Sequence, residues 1–166
     1  MFFQKIKDFP HELKCGIGNL IKWFPVIWKD RNWDHTFIYR ILRHKLHLTE
    51  QFIRHYGIHA NNIQDADRMK ICVILLDRLI KDEHFEMAFK SFHKKWGYSD
   101  WKFEKVEGES ELSRLKLTYP AIKTDEDEKL NQKDFKRACD YEDFLRERDL
   151  DYLFSTMRKY IQGWWD

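Results

Sequence analysis

Residues 34–57 read DHTFIYRILRHKLHLTEQFIRHYG. Asp34 is a good N-cap, because a carboxylate accepts from the unpaired N–H groups of a first helical turn, and Gly57 supplies a stop. Between them apolar residues recur at Ile38, Ile41, Leu42, Leu48, Phe52 and Tyr56, the spacing of one helical face. The stretch predicts an amphipathic helix with that stripe turned inward.

C-terminal to it, His59-Ala60-Asn61-Asn62 forms a turn, and a second long helix is expected over 65–96, ending at Gly97. Met69, Cys72, Val73, Leu76, Leu79 and Ile80 make its stripe, and Ile71, Ile74 and Leu75 extend the apolar surface nearly all round, so its middle should be covered on several sides. Two helices joined by a short turn pack antiparallel, which makes this pair the scaffold. Beyond it the period changes to two. Trp101 and Phe103 alternate with charged residues, Glu107-Gly108-Glu109-Ser110 reads as a turn, and Leu115, Leu117 and Tyr119 alternate again, so a β-hairpin is expected over 100–119. Thr124, followed by four carboxylates at 125–128, places a cap and negative charge at the start of a last helix running to about 161. Gly163 is expected to end it in a left-handed conformation, with Trp164 and Trp165 folding back on the body.

N-terminal to residue 34 the signals are weaker. Gly16, Gly18 and Pro25 predict only a short or kinked helix around 19–28. The apolar run 17–28 shows little of the polar face that an interfacial helix needs, so it is assigned to the core and not to a membrane surface. The fold class that follows is mainly α: an antiparallel long-helix hairpin plus a long C-terminal helix, with a small β-hairpin insertion, in one helical domain over 1–166.

The chain has 166 residues, 43% hydrophobic and 35% charged, which is the composition of a globular chain. No segment approaches the ~18 apolar residues of a membrane span, and residues 1–14 lack the apolar run and cleavage site of a signal peptide. Cys15, Cys72 and Cys139 are odd in number and far apart, which points to a reducing compartment, the cytoplasm. The net charge of +2 hides an asymmetry: residues 1–97 hold 17 Lys and Arg against 11 Asp and Glu, a balance of +6, and the remainder holds 13 against 17, a balance of −4. All eight histidines lie in the basic half. An anion site belongs there.

The candidate ligand residues follow from that field. The first long helix carries Arg40, Arg43, His44, His47, Arg54 and His55, with Arg40, His44, His47, Gln51 and His55 along one ridge suited to phosphates. At its start, Arg31, Trp33 and Asp34 surround free backbone N–H groups, and Trp33 is the favoured stacking residue. Most tryptophans in such a domain are core, and three of Trp23, Trp28, Trp33, Trp164 and Trp165 are expected to be. Trp165, at the terminus, is the second stacking candidate. Asp77 and Arg78 follow an apolar run, and two readings stand for them: helix-surface bridges to Lys81 and Asp82, or an Arg78 aimed into a pocket and oriented by Asp34 or Asp77. His44, His47, Gln51 and His55 on one straight helix diverge too far for a metal site. No phosphate-binding glycine loop, serine elbow, His-Glu-x-x-His run or paired-cysteine zinc pattern occurs, so no cofactor and no familiar catalytic motif is expected.

The block 20–34 (LIKWFPVIWKDRNWD), Lys45-Leu46, the segment 75–80 (LLDRLI) and the ending from 149–154 (DLDYLF) through Ile161-Gln162-Gly163-Trp164-Trp165-Asp166 resemble a group of uncharacterised small proteins encoded by tailed bacteriophages. The resemblance spans most of the chain and carries no activity or catalytic residues. It implies an accessory factor acting in the host bacterial cytoplasm, and one class of these sequesters nucleotide-derived immune signals such as cyclic dinucleotides or ADP-ribose derivatives. The leading expectation is therefore a homo-oligomeric, membrane-independent sponge for a small nucleotide-type ligand, held by Arg31, Arg40, Arg78, His44 or His47 and stacked on Trp33 or Trp165. A nucleic-acid-binding or virion-associated protein is the alternative, ranked second because the computed pI of 8.3 falls short of the ~9 of dedicated binders. A metal-independent enzyme that degrades the signal is the third.

Overall fold

The computed structural model describes residues 2–31, 33–34, 36–57, 60–105 and 113–164. Its elements in order are α1 (Phe2–Ile27), α2 (Thr36–Tyr56), α3 (Asn62–Lys81), α4 (Glu83–Trp96), β1 (Asp100–Lys105), β2 (Ser113–Thr118) and α5 (Asp125–Tyr160), followed by a 3-10 turn at Ile161–Trp164. The protein is mainly α with a two-stranded antiparallel sheet. It divides into two compact units, one of Met1–Ile80 with Lys159–Asp166 and one of Lys81–Arg158.

In the first unit, α2 and α3 form the expected antiparallel hairpin. Asp34 caps α2, its Oδ1 accepting from Thr36 N at 3.0 Å and from the Thr36 hydroxyl at 2.6 Å. At the other end Gly57 N donates to Ile53 O at 2.8 Å, and a Cβ on Gly57 would collide with that carbonyl and with Asn62. Two cross-hairpin ion pairs fix the register: Arg43 with Asp77, and Arg54 with Asp67. The inward face of α2 differs from the expected stripe. Leu46, Thr49, Glu50 and Ile53 are buried, whereas Ile38, Phe52 and Tyr56 are mostly exposed. The helix has apolar residues on two adjoining faces, and the face carrying the ion pairs is the one packed. On α3, Met69, Cys72, Val73, Leu75 and Leu76 are buried, but Ile71 and Ile74 face solvent, so its middle is covered on fewer sides than its composition implied.

Two further corrections concern helix ends. α1 is one continuous helix of 26 residues with Pro10 in its interior and Pro25 in its last turn, where little helix remains to be interrupted, and the run 17–28 expected in the core leaves Ile17, Leu20, Ile21, Phe24, Ile27 and Trp28 exposed. The expected helix over 65–96 is two helices, broken at Asp82 (φ 55°, ψ 38°). Asp is among the few residues that enter the left-handed region readily, and the Asp82 carboxylate accepts from Arg146 at 2.9 Å.

In the second unit, α4 packs antiparallel to α5. Ala88, Phe89, Phe92, Trp96 and Ala138 form its buried cluster, bordered by Tyr119, Ala121, Ile122 and Cys139. Phe135 meets Phe89 and Phe92 edge-on at 5.5 and 5.6 Å, and Asp134 accepts from Lys95 at 2.6 Å and from the Trp96 indole at 3.2 Å. Gly97 ends α4 at φ 79°, where a Cβ would also strike Pro120. The β-hairpin matches expectation in register, with Trp101 opposite Leu117 and Phe103 opposite Leu115. Its expected turn at 107–110 lies outside the described residues. Thr124 caps α5 reciprocally: Asp127 N donates to the Thr124 hydroxyl at 3.1 Å, and Thr124 N to Asp127 Oδ2 at 3.0 Å. The far end of α5 runs into the 3-10 turn without a left-handed Gly163, and Trp164 is buried as expected. Trp165 lies outside the described residues.

Candidate anion-binding groove

The site is built where the end of α1 meets α2 and α3. The last turn of α1 contributes Pro25 and Val26, and the chain just beyond it contributes Lys29. Arg40, Arg43 and His44, at i, i+3 and i+4, share one face of α2, and Asp77 and Ile80 share one face of α3. Together these residues line an open groove of about 410 Å³.

His44 holds the groove's wall in place. Its Nε2–H donates to the Lys22 carbonyl at 3.0 Å, and its ring meets the edge of Trp23 at 4.9 Å, so this histidine ties α1 to α2. Arg43 is committed to Asp77 by a two-point contact, Nε to Oδ1 at 3.0 Å and Nη2 to Oδ2 at 3.1 Å. Arg40 lies 3.4 Å from Asp34 Oδ2, a looser pair with 40% of the arginine side chain exposed. Lys29, Arg40 and Arg43 stand against Asp77 in the groove and Asp34 beside it, three cations to two carboxylates, so the local balance is one positive charge.

Of the residues singled out from sequence, the structure brings together Arg40, His44 and Asp77. Asp34 stands beside them as cap and partner of Arg40. Arg31 points elsewhere, its Nη1 donating to the Asp30 carbonyl at 2.6 Å. Trp33 is 83% exposed and lines no part of the groove, nor does Trp28, 70% exposed, belong to the core. His47 and Arg78 are half-buried outside the groove, and His55 bonds its own helix at Gln51 O. Asp77 pairs with Arg43 and not with Lys81, which meets Glu83 instead.

Two of the groove's charged residues, Lys29 and Arg43, were given no ligand contact from the sequence. Lys29 had no helical period to place it. Arg43 did carry a signal: it and Asp77 are equidistant in sequence from Ala60, at the turn, which is the pairing rule of an antiparallel hairpin.

The second unit offers two other features. A wider trough of about 970 Å³ runs along α4, but its Glu83, Glu86, Lys90 and Lys94 cancel in charge, which is the pattern of a solvated helix face. His84 and Asp149 form a buried pair, Nε2 to Oδ2 at 2.8 Å, with Arg148 donating to Asp149 Oδ1 at 2.9 and 3.2 Å. Neither lines the trough, and the pair reads as a structural tie between α4 and α5. Among the described residues no three His, Cys, Asp or Glu side chains gather as a metal site, and all three cysteines are free thiols. No protein-family model matches the chain, and comparison with curated proteins and with solved structures likewise returned no similar protein.

Proposed function

We propose that the protein is a binding module for a small phosphate-bearing ligand of nucleotide type, taken up in the groove between α1, α2 and α3. The observation that carries this reading is that Lys29, Arg40 and Arg43 line one concavity together with the apolar Pro25, Val26 and Ile80. Guanidiniums fork onto phosphate oxygens, and a groove of this volume lies within the ~300–1,000 Å³ of small-molecule sites. The likeness of residues 20–34 and 161–166 to small phage proteins supports a particular use: sequestration of a nucleotide-derived immune signal in the host cytoplasm, holding the ligand without altering it.

Titration calorimetry of the purified protein against cyclic dinucleotides and ADP-ribose derivatives tests this. The expected result is binding at micromolar concentration or tighter, about −8 kcal/mol, with the ligand recovered intact by chromatography. Absence of binding below ~100 µM across the set contradicts it. Tight binding to duplex DNA that weakens steeply with salt would replace it with a nucleic-acid function.

A further inference from the structure

α1 presents an apolar face that nothing in its own compact unit covers. Leu13, Ile17, Leu20, Phe24 and Ile27, spaced 4, 3, 4 and 3 apart, are each 47–67% exposed, and Ile21 and Trp28, on the adjoining edge, are both 70% exposed. In the sequence the same alternation of three and four runs back through Pro10, Ile6 and Phe3, so it spans residues 3–27. The helix touches α2 from its other side, through Trp23 and the Lys22 carbonyl. A Cβ placed on Gly16 or Gly18 would meet no atom within 4 Å, so the middle of the helix is bare around these positions as well.

Such a helix does not stand by propensity. Two glycines and two prolines within 26 residues each disfavour it in water, and isolated helices are marginal even with better sequences. What stabilises it must bury the apolar face. Seven large side chains at these exposures hold on the order of 800 Å² of accessible surface, beyond the ~300–600 Å² of the largest patch on a typical monomer. It is also what each partner contributes to an interface of standard size, ~800 Å².

We propose that this face is the seam of a two-fold homodimer, in which α1 of one copy packs along α1 of a second. Three observations select that occupant. A mean spacing of 3.5 residues, sustained over about three and a half heptads, keeps a stripe facing another helix along its whole length, and no flat surface calls for that period. The flanks of the seam suit self-association: from Gly16 to Trp28 the one charged residue is Lys22, which falls opposite the stripe, so two copies bring no like charges together there. Finally, seven side chains from each copy bury the area a stable pair needs, and a two-fold interface presents the same patch from both sides. A bilayer fits less well. An interfacial helix needs a strongly charged face opposite its apolar one, whereas the back of α1 rests on α2, and no helix among the described residues is long and apolar enough to cross a membrane.

The test is sedimentation equilibrium of the full-length protein without ligand, in reducing buffer so that the exposed Cys15 thiol cannot link copies. The expected result is a dimer with a dissociation constant of ~10 µM or below, and a melting temperature that rises with protein concentration. Leu20→Glu with Phe24→Glu should make the protein monomeric. Should that pair fail to fold, Leu20→Ala with Phe24→Ala keeps good helix formers in place and should raise the dissociation constant about a hundredfold, since it truncates four central side chains across the seam. Lys22→Glu, on the side away from the seam, should change it less than about threefold. Wild-type protein that remains monomeric at ~100 µM overturns the proposal. So does a dimer that the alanine pair leaves as tight as the wild type, because its interface would then lie on another face.

Discussion

Arg43 and Asp77 clasp each other across the α2–α3 hairpin at two points, 3.0 and 3.1 Å, and the same contact forms one side of the groove. The pair therefore has two jobs that oppose each other. It fixes the register of the hairpin, and it occupies a guanidinium that an anionic ligand would use. Asp77→Asn removes the competing charge and should raise affinity for a phosphate-bearing ligand roughly fivefold, about 1 kcal/mol for one unit charge a few ångströms away in a solvent-screened site. Calorimetry on the variant reads this directly, and a fall in affinity would mean that Asp77 orients Arg43 toward the ligand.

Breaking the buried pair His84 and Asp149 should destabilise the second unit. Both side chains are almost fully buried, at 1% and 3% exposure, so Asp149→Ala leaves His84 without its partner and should lower stability by about 3 kcal/mol in urea unfolding. Replacing both residues by leucine leaves no orphaned polar group from the pair and should be milder than Asp149→Ala alone. A double variant as damaged as the single one would show that packing, and not the polar tie, sets the loss.

How legible this architecture was in the sequence depended on how local each signal is. The alternation around Trp101, Phe103, Leu115 and Leu117 and the cap at Thr124 are short-range, and both elements stand where their patterns put them. The inward face of α2 was not legible, because Ile38, Ile41, Phe52 and Tyr56 make as good a stripe as Leu46, Thr49, Glu50 and Ile53, and only the partner helix decides between them. The break at Asp82 carried a missed charge signal. Glu83 and Glu86 open α4 and His93, Lys94 and Lys95 close it, the polarity of an independent helix matched to its own dipole. In the groove, Arg40, His44 and Asp77 were found by type and spacing, whereas Lys29 is placed by tertiary structure alone.

The cap of α5 makes a pH-dependent contribution. Hydrogen bonds from Thr124 and from the Lys123 backbone hold the Asp127 carboxyl below the usual carboxylate range. A depressed native pKa stabilises the fold above the unfolded value of about 3.9, and that contribution is lost as the pH falls through the native value. Asp127→Asn should therefore be less stable than the wild type at neutral pH, with the gap closing in acid. Thr124→Ala should lower stability by about 1 kcal/mol at neutral pH. Urea unfolding at the two pH extremes checks both, and a gap independent of pH would rule out the carboxylate as its source.

The cysteines should differ in reactivity. Burial pushes the Cys72 thiol up to about 11, whereas Cys15 is exposed on α1. Since the thiolate is the nucleophile, an alkylating reagent at mildly alkaline pH should label Cys15 first and Cys72 only on unfolding. Mass spectrometry of a labelling time course gives the order, and early modification of Cys72 in folded protein would show that α3 opens readily.

The central claim is that Lys29 and Arg40 bind a phosphate-bearing ligand, and reversing their charge tests it most directly. Lys29→Glu with Arg40→Glu should reduce ligand affinity by at least a hundredfold in titration calorimetry, on the order of 3 kcal/mol. Lys102→Glu with Lys116→Glu, an equal change in net charge on the β-hairpin, should alter it less than threefold if the groove and not the overall field is responsible. Equal losses in the two variants, or undiminished binding in the first with its melting temperature intact, would contradict the assignment of the groove.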